Sequence, residues 1–196
     1  MLTFLAAAAL AAGAIFVAEF GDKSQLLILA FATRYPWRPI VLGLVLAASV
    51  IQGISVLLGA AVGAVLPTNL VAIVSGIAFL AVAAWTLIQD DEQANEEAAK
   101  PSRTLAGIGL VMSVAATFVI AELGDKTMLA TFALAASQGP LPTWIGSTIG
   151  EVAANLVAVV VGRQVGTRLS PRLIRIGSAA LFAVAGALVL AGALLG

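Results

Sequence analysis

A heptapeptide motif occurs twice, as Ala-Glu-Phe-Gly-Asp-Lys-Ser at 18–24 and as Ala-Glu-Leu-Gly-Asp-Lys-Thr at 121–127. Each copy interrupts a long apolar stretch, the first at 2–33 and the second at 105–136. As one straight helix, either stretch would run about 48 Å at about 1.5 Å per residue. The hydrocarbon core of a bilayer is only about 30 Å thick. We therefore expect each stretch to be broken, strongly tilted or split into two shorter helices.

The whole chain aligns to itself at an offset of 103 residues without a gap. Beyond the motifs, the offset places Gly43 on Gly146 and Gln52 on Asn155. Each copy would supply three spans, and because three is odd, the second copy would enter the membrane from the opposite side. Many secondary transporters have such inverted repeats, with the binding site near the midplane where the repeats meet. The sequence predicts an all-α integral membrane protein with six transmembrane helices in two inverted three-helix repeats, with broken or kinked motif helices.

Composition favours the same class. Hydrophobic residues make up 61% of the 196 residues, charged residues only 10%, and the mean hydropathy is +1.10. Soluble domains contain about 45–50% apolar residues and about 25% charged residues. A soluble fold of this size could not bury so much apolar surface. The chain has no Cys and no His, which excludes zinc sites built from those residues, thiol nucleophiles and Ser-His-Asp triads. Its net charge of zero gives no basic surface for nucleic acid.

The basic residues predict the orientation. The other four spans are expected at 41–66, 70–88, 144–161 and 174–195. The basic residues outside the motifs all fall on one side of this arrangement: Arg34, Arg38, Lys100, Arg103, Arg163, Arg168, Arg172 and Arg175. The positive-inside rule makes that side cytoplasmic, so both termini are expected outside. The N-terminal stretch lacks the basic region of a signal peptide, and we expect it to be retained as a span.

These boundaries divide the chain into three parts. The first three-helix repeat is predicted at 1–88, an acidic linker at 89–103, and the second repeat at 104–196. The linker holds five acids and two bases. We interpret it as a solvated cytoplasmic connection, with regulation by bound cations as the alternative.

Five carboxylates lie inside predicted spans, where an ionised group costs about 2.5–3.5 kcal/mol at a helix centre. They are Glu19, Asp22, Glu122, Asp125 and Glu151. The two acids of each motif are three residues apart and would share one helix face, while Gly21 and Gly124 allow a local break. With Lys23 and Lys126, the group carries a net charge of −3 when ionised. Crowded carboxylates take up protons when no cation is bound, so metal and protons would compete, as cation/proton antiport requires.

The plentiful donors near these acids are oxygens, which suit calcium, manganese or magnesium rather than zinc or copper. Besides the carboxylates, the candidates are Ser24, Thr127, Gln25, Gln52 and Asn155. Gln52 and Asn155 occupy equivalent repeat positions, either as ligands or as hydrogen-bonding groups between helices. Met128 replaces Gln25 in the second copy, as a packing residue or a weak thioether ligand.

Glu151 breaks the repeat, because its counterpart is Ala48. We interpret Glu151 as a proton-coupling carboxylate or a further ligand. A purely structural alternative pairs Glu19 with Lys23, and Glu122 with Lys126, as buried salt bridges between residues four apart. That alternative leaves the remaining three acids unpaired in lipid.

The two motifs resemble those of the Gdt-type cation exchanger family, which is defined by two copies of E-x-G-D-[KR]-[ST] and includes manganese exporters of the MneA kind. Both copies match at every position, and the resemblance covers essentially the whole chain. It implies export of manganese, with calcium as the alternative, out of the cytosol in exchange for protons, here across a bacterial inner membrane. It also implies ion binding by the four motif acids and supporting roles for Lys23, Ser24, Lys126 and Thr127.

Two other functions fit these residues less well. An exporter of another small solute such as an amino acid, or a cation channel, is the main alternative, although an anionic substrate would require Arg or helix N-termini rather than carboxylates. An enzyme is not expected, because without His or Cys the chain offers no nucleophile–base pair. We expect no cofactor beyond the transported ions and a lipid environment, and the sequence leaves homo-oligomerisation open.

Overall fold

The computed structural model describes residues 1–20, 22–32, 35–88, 106–165 and 171–195. This part of the chain forms eight α-helices, and the predicted all-α class is confirmed. They are α1 (Leu2–Glu19), α2 (Lys23–Ala32), α3 (Trp37–Val65), α4 (Thr68–Ile88), α5 (Gly107–Glu122), α6 (Lys126–Gln138), α7 (Pro140–Val165) and α8 (Pro171–Leu195). The predicted linker at 89–103 lies outside the described residues.

Both long apolar stretches are split at the motif. α1 ends at Glu19 and α2 begins at Lys23, while α5 ends at Glu122 and α6 begins at Lys126. At the second break the two helix axes are bent by 81°. Each apolar run is therefore accommodated as two short helices joined inside the motif.

The helices differ in how they meet the length needed to cross a bilayer. Among the described residues, α3 alone is long and apolar enough, and α5 with α6 meets the test as one bent pair. Shorter apolar helices cover Thr3–Glu19, Asn69–Ala84 and Phe182–Leu194. Length and composition of the described helices thus give one spanning helix, or two if the bent pair is one span.

Polar side chains lie inside the bundle, and large apolar side chains cover the outside. Val65, Ile108 and Ile120 are 82%, 82% and 77% exposed. In contrast, Gln52 and Glu151 are 0% and 1% exposed. Soluble proteins place most ionisable residues on the surface, so this reversed distribution suits a hydrocarbon environment.

The two halves pack into each other through contacts that recur at the 103-residue offset. α5 packs on α3, and the equivalent α1 packs on α7. A Cβ added at Gly43 of α3 would lie 2.7 Å from the Val111 carbonyl oxygen of α5. A Cβ at Gly146 of α7 would likewise clash with the Ala8 carbonyl oxygen of α1. Both glycines therefore permit close helix approach, and the duplication of sequence is also a duplication of packing.

The predicted orientation rests mostly on residues that lie outside this description. Arg34, Lys100, Arg103 and Arg168 are not among the described residues, and the side chains of Arg163, Arg172 and Arg175 are not described either. Arg38 is exposed at the start of α3, with its guanidinium 5.6 Å from the centroid of the Trp37 ring. The orientation remains a prediction from the sequence.

Candidate metal centre

The second motif forms a β-turn that ends α5 and begins α6. Leu123 has φ of −64° and ψ of 118°, and Gly124 has φ of +79°. These values match the two central residues of a type II turn, whose second central residue needs positive φ and is therefore glycine. The Asp125 N–H closes the turn by donating to the Glu122 carbonyl oxygen at 3.1 Å. The E-x-G-D sequence thus specifies a helix break.

The first motif shows the same closure. Phe20 has φ of −68° and ψ of 118°, and the Asp22 N–H donates to the Glu19 carbonyl oxygen at 3.1 Å. The two acids of each motif would share one face only on an unbroken helix, and the helix is broken between them. They lie on either side of a turn, because the helix ends at the glutamate and the next helix begins just after the aspartate.

The turns bring carboxylates of both motifs together. Glu19, Glu122 and Asp125 each place an oxygen within 4.8 Å of the other two. All three residues are at most 5% exposed. Calcium–oxygen distances of about 2.3–2.6 Å place ligands of one ion at most about 5 Å apart. One divalent cation of that size can therefore contact all three carboxylates.

Several of these oxygens have no hydrogen-bond partner among the described residues. Both side-chain oxygens of Glu122 and Oε1 of Glu19 are buried in this way. The other oxygen of Glu19, Oε2, accepts a hydrogen bond from the Ser24 hydroxyl at 2.9 Å. Buried carboxylate oxygens without partners are unfavourable, and a bound cation would satisfy them.

Asp22 has a different contact. Its Oδ2 forms an ion pair with Nζ of Lys126 from the other motif, and the two side chains are 9% and 7% exposed. The pair considered between Glu122 and Lys126 is not among the ion pairs of the described residues. The lysine of the second repeat thus balances a carboxylate of the first, whereas the side chain of Lys23 lies outside the description.

Glu151 orders the two equivalent amides. Gln52 Nε2 donates to Glu151 Oε2 at 2.5 Å, and Asn155 Nδ2 donates to the Glu151 backbone carbonyl at 3.0 Å. The amide oxygens of both residues are buried without a hydrogen-bond partner among the described residues. Glu151 therefore occupies both amide nitrogens and leaves both oxygens available.

Glu151 also belongs to the same electrostatic group as the motif acids. Coulombic repulsion acts between Glu151 and each of Glu19, Glu122 and Asp125. It also acts between Glu19 and Asp22. The five carboxylates thus lie close enough to influence one another, although they come from three separate parts of the chain.

The remaining candidates support the helices around this centre. Gln25 Nε2 donates to the Ala154 carbonyl oxygen at 3.4 Å and so joins α2 to α7. Met128 Sδ accepts a hydrogen bond from the Gly124 N–H at 3.0 Å, which stabilises the second turn. Thr127 is buried, with 1% exposure, in the first turn of α6.

Sequence reasoning missed three buried hydroxyl residues on the helices that carry predicted site residues. Thr131 lies four residues beyond Thr127 on α6, and Ser147 and Thr143 lie four and eight residues before Glu151 on α7; all three are 0% exposed. Spacing by four from predicted site residues was the signal that could have found them.

Known sequences give the family. The family described as "Divalent cation/proton antiporter GDT1" matches residues 7–94 and, a second time, residues 110–196. The chain belongs to the GDT1 family. The resemblance drawn from the motifs is therefore confirmed, and GDT1 proteins are transmembrane cation/proton antiporters rather than enzymes.

Curated relatives agree with GDT1 membership. A Vibrio cholerae protein named "Putative manganese exporter" is 32% identical over 171 residues, which cover 86% of this chain and 82% of that protein. A GDT1-like protein of Synechocystis is 29% identical over 183 residues, which cover 86% of this chain and 88% of that protein. Protein PAM71, chloroplastic, of Arabidopsis thaliana is 30% identical over 203 residues, which cover 90% of this chain and 54% of that protein. No solved structure matches the chain.

Proposed function

We propose that this GDT1-family antiporter exports manganese from the cytoplasm in exchange for protons, and that Glu19, Glu122 and Asp125 bind the ion. The observation that carries this proposal is the approach of three buried carboxylate oxygens, from both repeats, to within 4.8 Å. Ligands of this kind select hard divalent cations. The name of the Vibrio relative favours manganese, and calcium is the competing substrate at the same site.

Charge explains why protons are exchanged for the metal. The Asp22 carboxylate is balanced by Lys126, so the three carboxylates of the centre carry the excess negative charge. That charge is unfavourable in a dry interior unless a cation binds or protons neutralise it. A divalent cation and protons therefore occupy the centre in turn, which couples their movements in opposite directions.

We propose an inverted-repeat architecture for this exchange. α1 with α2, and α5 with α6, each count as one span, which gives six spans in two repeats at 1–88 and 104–196. The recurring packing of α1 on α7 and of α5 on α3 supports the repeat. The basic residues place the linker at 89–103 in the cytoplasm and both termini outside, across a bacterial inner membrane. The exposed apolar surface of the bundle then faces lipid.

Because Glu19 comes from one repeat and Glu122 and Asp125 from the other, the centre lies where the two repeats meet. A rocking motion of one repeat against the other would expose the carboxylates to each side in turn. Gln52 and Asn155, held by Glu151, offer two neutral oxygens that complete the coordination of the ion.

The decisive experiment measures both ions in the same proteoliposomes. Purified protein is reconstituted with a fluorescent manganese reporter and a pH dye inside the vesicles. We expect an imposed pH gradient to drive manganese into the vesicles while protons leave them. Because protons compete for the carboxylates, the apparent KM for manganese should rise as the pH on the binding side falls. Manganese movement without proton movement would overturn antiport.

Matched variants test the site. Glu19→Gln and Asp125→Asn should abolish coupled flux, whereas Glu97→Gln, in the predicted linker, should leave it unchanged. Normal transport by Glu19→Gln and Asp125→Asn would contradict the site assignment. Competition by calcium and by magnesium in the same assay gives the ion preference.

A further inference from the structure

A line of buried polar side chains runs along one face of α7. Thr143, Ser147, Glu151 and Asn155 follow one another at intervals of four residues, and each is at most 1% exposed. Residues four apart lie on the same face of a helix. From Thr143 to Glu151 the line extends about 12 Å at about 1.5 Å per residue. That length is close to half of a hydrocarbon core of about 30 Å.

The neighbouring helix α6 carries a further buried hydroxyl residue. α6 packs on α7, and Thr131 on α6 is 0% exposed. The hydroxyl oxygens of Thr131 and Thr143 have no hydrogen-bond partner among the described residues. Ser147 donates to the Trp144 carbonyl of its own helix, so its oxygen lone pairs remain free to accept. Buried polar groups of this kind are satisfied by water in folded proteins.

The equivalent positions of the first repeat are apolar. At the 103-residue offset, Thr131, Thr143, Ser147 and Glu151 correspond in order to Ile28, Ile40, Leu44 and Ala48. These four are at most 3% exposed. The three larger ones pack in one hydrophobic cluster that also contains Phe31 and Phe118. The hairpin of α2 and α3 is therefore dry where the hairpin of α6 and α7 is polar.

We propose that Thr131, Thr143 and Ser147 line a hydrated pathway, the polar half-pathway, which connects the carboxylate centre to the face of the membrane at the α6–α7 connection. Ile28, Ile40 and Leu44 close the corresponding route to the opposite face, because apolar constrictions exclude water. The side chains set this difference between the two routes, and the rocking motion of the repeats opens each route in turn.

The direction of use rests on the proposed function. In the proposed orientation the connection at Gly139 faces outward, so the polar half-pathway is where manganese leaves and protons enter. The opposite route opens only when the apolar cluster separates. Ions from outside thus reach the centre through water, and the slow, gated step lies on the cytoplasmic side.

Cysteine accessibility tests the pathway directly, because the natural chain has no cysteine. Single variants Thr143→Cys and Ser147→Cys are paired with their repeat equivalents Ile40→Cys and Leu44→Cys. A small membrane-impermeant methanethiosulfonate reagent is added to one side of reconstituted vesicles at a time. Gln138→Cys and Arg38→Cys, both at exposed positions, report which side the reagent reaches.

We expect the side that labels Gln138→Cys to label Thr143→Cys and Ser147→Cys as well. Reagent on the side that labels Arg38→Cys should label Ile40→Cys and Leu44→Cys as well, but about tenfold or more slowly than Thr143→Cys and Ser147→Cys are labelled from their own side. Thiols in apolar surroundings ionise less and therefore react slowly. Equal rates at the paired positions, or faster labelling at Ile40→Cys and Leu44→Cys, would overturn the proposal.

Thr131→Cys and Ile28→Cys form a third pair, which keeps the test intact if one variant fails to fold. Labelling is independent of transport, so the two proposals fail separately. Absence of manganese flux with one-sided labelling would overturn the proposed function and leave the pathway standing. Protection of Ser147→Cys, but not of Gln138→Cys, by added manganese would support both.

Discussion

The two motif turns close in the same way, but their glutamates have different surroundings. Phe20 and Leu123 have nearly the same dihedral angles, with ψ of 118° in both. In the first turn, Ser24 donates a hydrogen bond to Glu19. In the second turn, neither side-chain oxygen of Glu122 has a hydrogen-bond partner among the described residues. The two turns thus match in the dihedral angles of Phe20 and Leu123 and in the closing hydrogen bond, while their glutamates differ in hydrogen bonding.

The difference between the two turns gives the duplicated sequence two chemically distinct halves. Two identical halves would offer the same environment to both faces of the membrane. Here the first half supplies a glutamate with one hydrogen-bonded oxygen and an apolar hairpin of α2 and α3. The second half supplies a glutamate with neither oxygen hydrogen-bonded and a polar hairpin of α6 and α7. The proposed metal centre lies between them, so the two proposed routes to it differ in chemistry.

The largest expected effect comes from breaking the ion pair that joins the turns. Lys126→Met removes the positive charge beside buried Asp22, which should cost about 3–5 kcal/mol of stability. Thermal unfolding in detergent measures this loss. The double variant Asp22→Asn/Lys126→Met should regain most of it, and equal instability of the single and double variants would contradict a role for the pair.

Neutralising the unsatisfied glutamate should come next. Glu122→Gln removes a carboxylate from the centre, and because losing an outer partner of a metal ligand already costs about 10–100-fold, we expect a fall of about 100-fold or more in kcat/KM for manganese. Initial flux rates in proteoliposomes give this number. A fall at Glu122→Gln no larger than that of Ser24→Ala would break the distinction between the two turns.

The turn itself can be tested at Gly124. A Cβ there would meet no atom within 4 Å, and the same holds for Gly13 in α1, but only Gly124 has positive φ. Gly124→Ala should therefore destabilise by about 1–2 kcal/mol, whereas Gly13→Ala should stabilise by about 0.5–1 kcal/mol. Parallel thermal unfolding of the two variants separates backbone strain from crowding, and identical shifts would rule out a type II turn.

The smallest effect is expected at the hydroxyl of the first turn. Ser24→Ala removes the donor to Glu19 Oε2, and loss of an outer partner of a metal ligand costs about tenfold in affinity at the low end. The change should raise KM for manganese more than it lowers kcat. Ser24→Thr copies the second motif and keeps the hydroxyl, so it should restore KM; no recovery would mean that volume, not the hydrogen bond, matters.

Local patterns in the sequence predict much of this molecule. The glycine of each motif indicated a break in a helix too long for one span, and Gly124 has the positive φ that makes the break. The same local reasoning failed for the paired acids, because spacing by three implies a shared face only if the helix continues. The turn ends the helix between the two acids. Glu19 joins the carboxylate centre while Asp22 pairs with Lys126, whereas Glu122 and Asp125 both lie at the centre.

The sequence alone establishes the class of protein and its duplication, and it predicts the buried acids and the oxygen ligands. These follow from composition and spacing, which act locally along the chain. The tertiary structure alone brings Glu19 to Glu122 and Asp125, pairs Asp22 with Lys126, and places Glu151 against Gln52. These contacts join residues about a hundred positions apart, and they depend on helices that approach closely at Gly43 and Gly146.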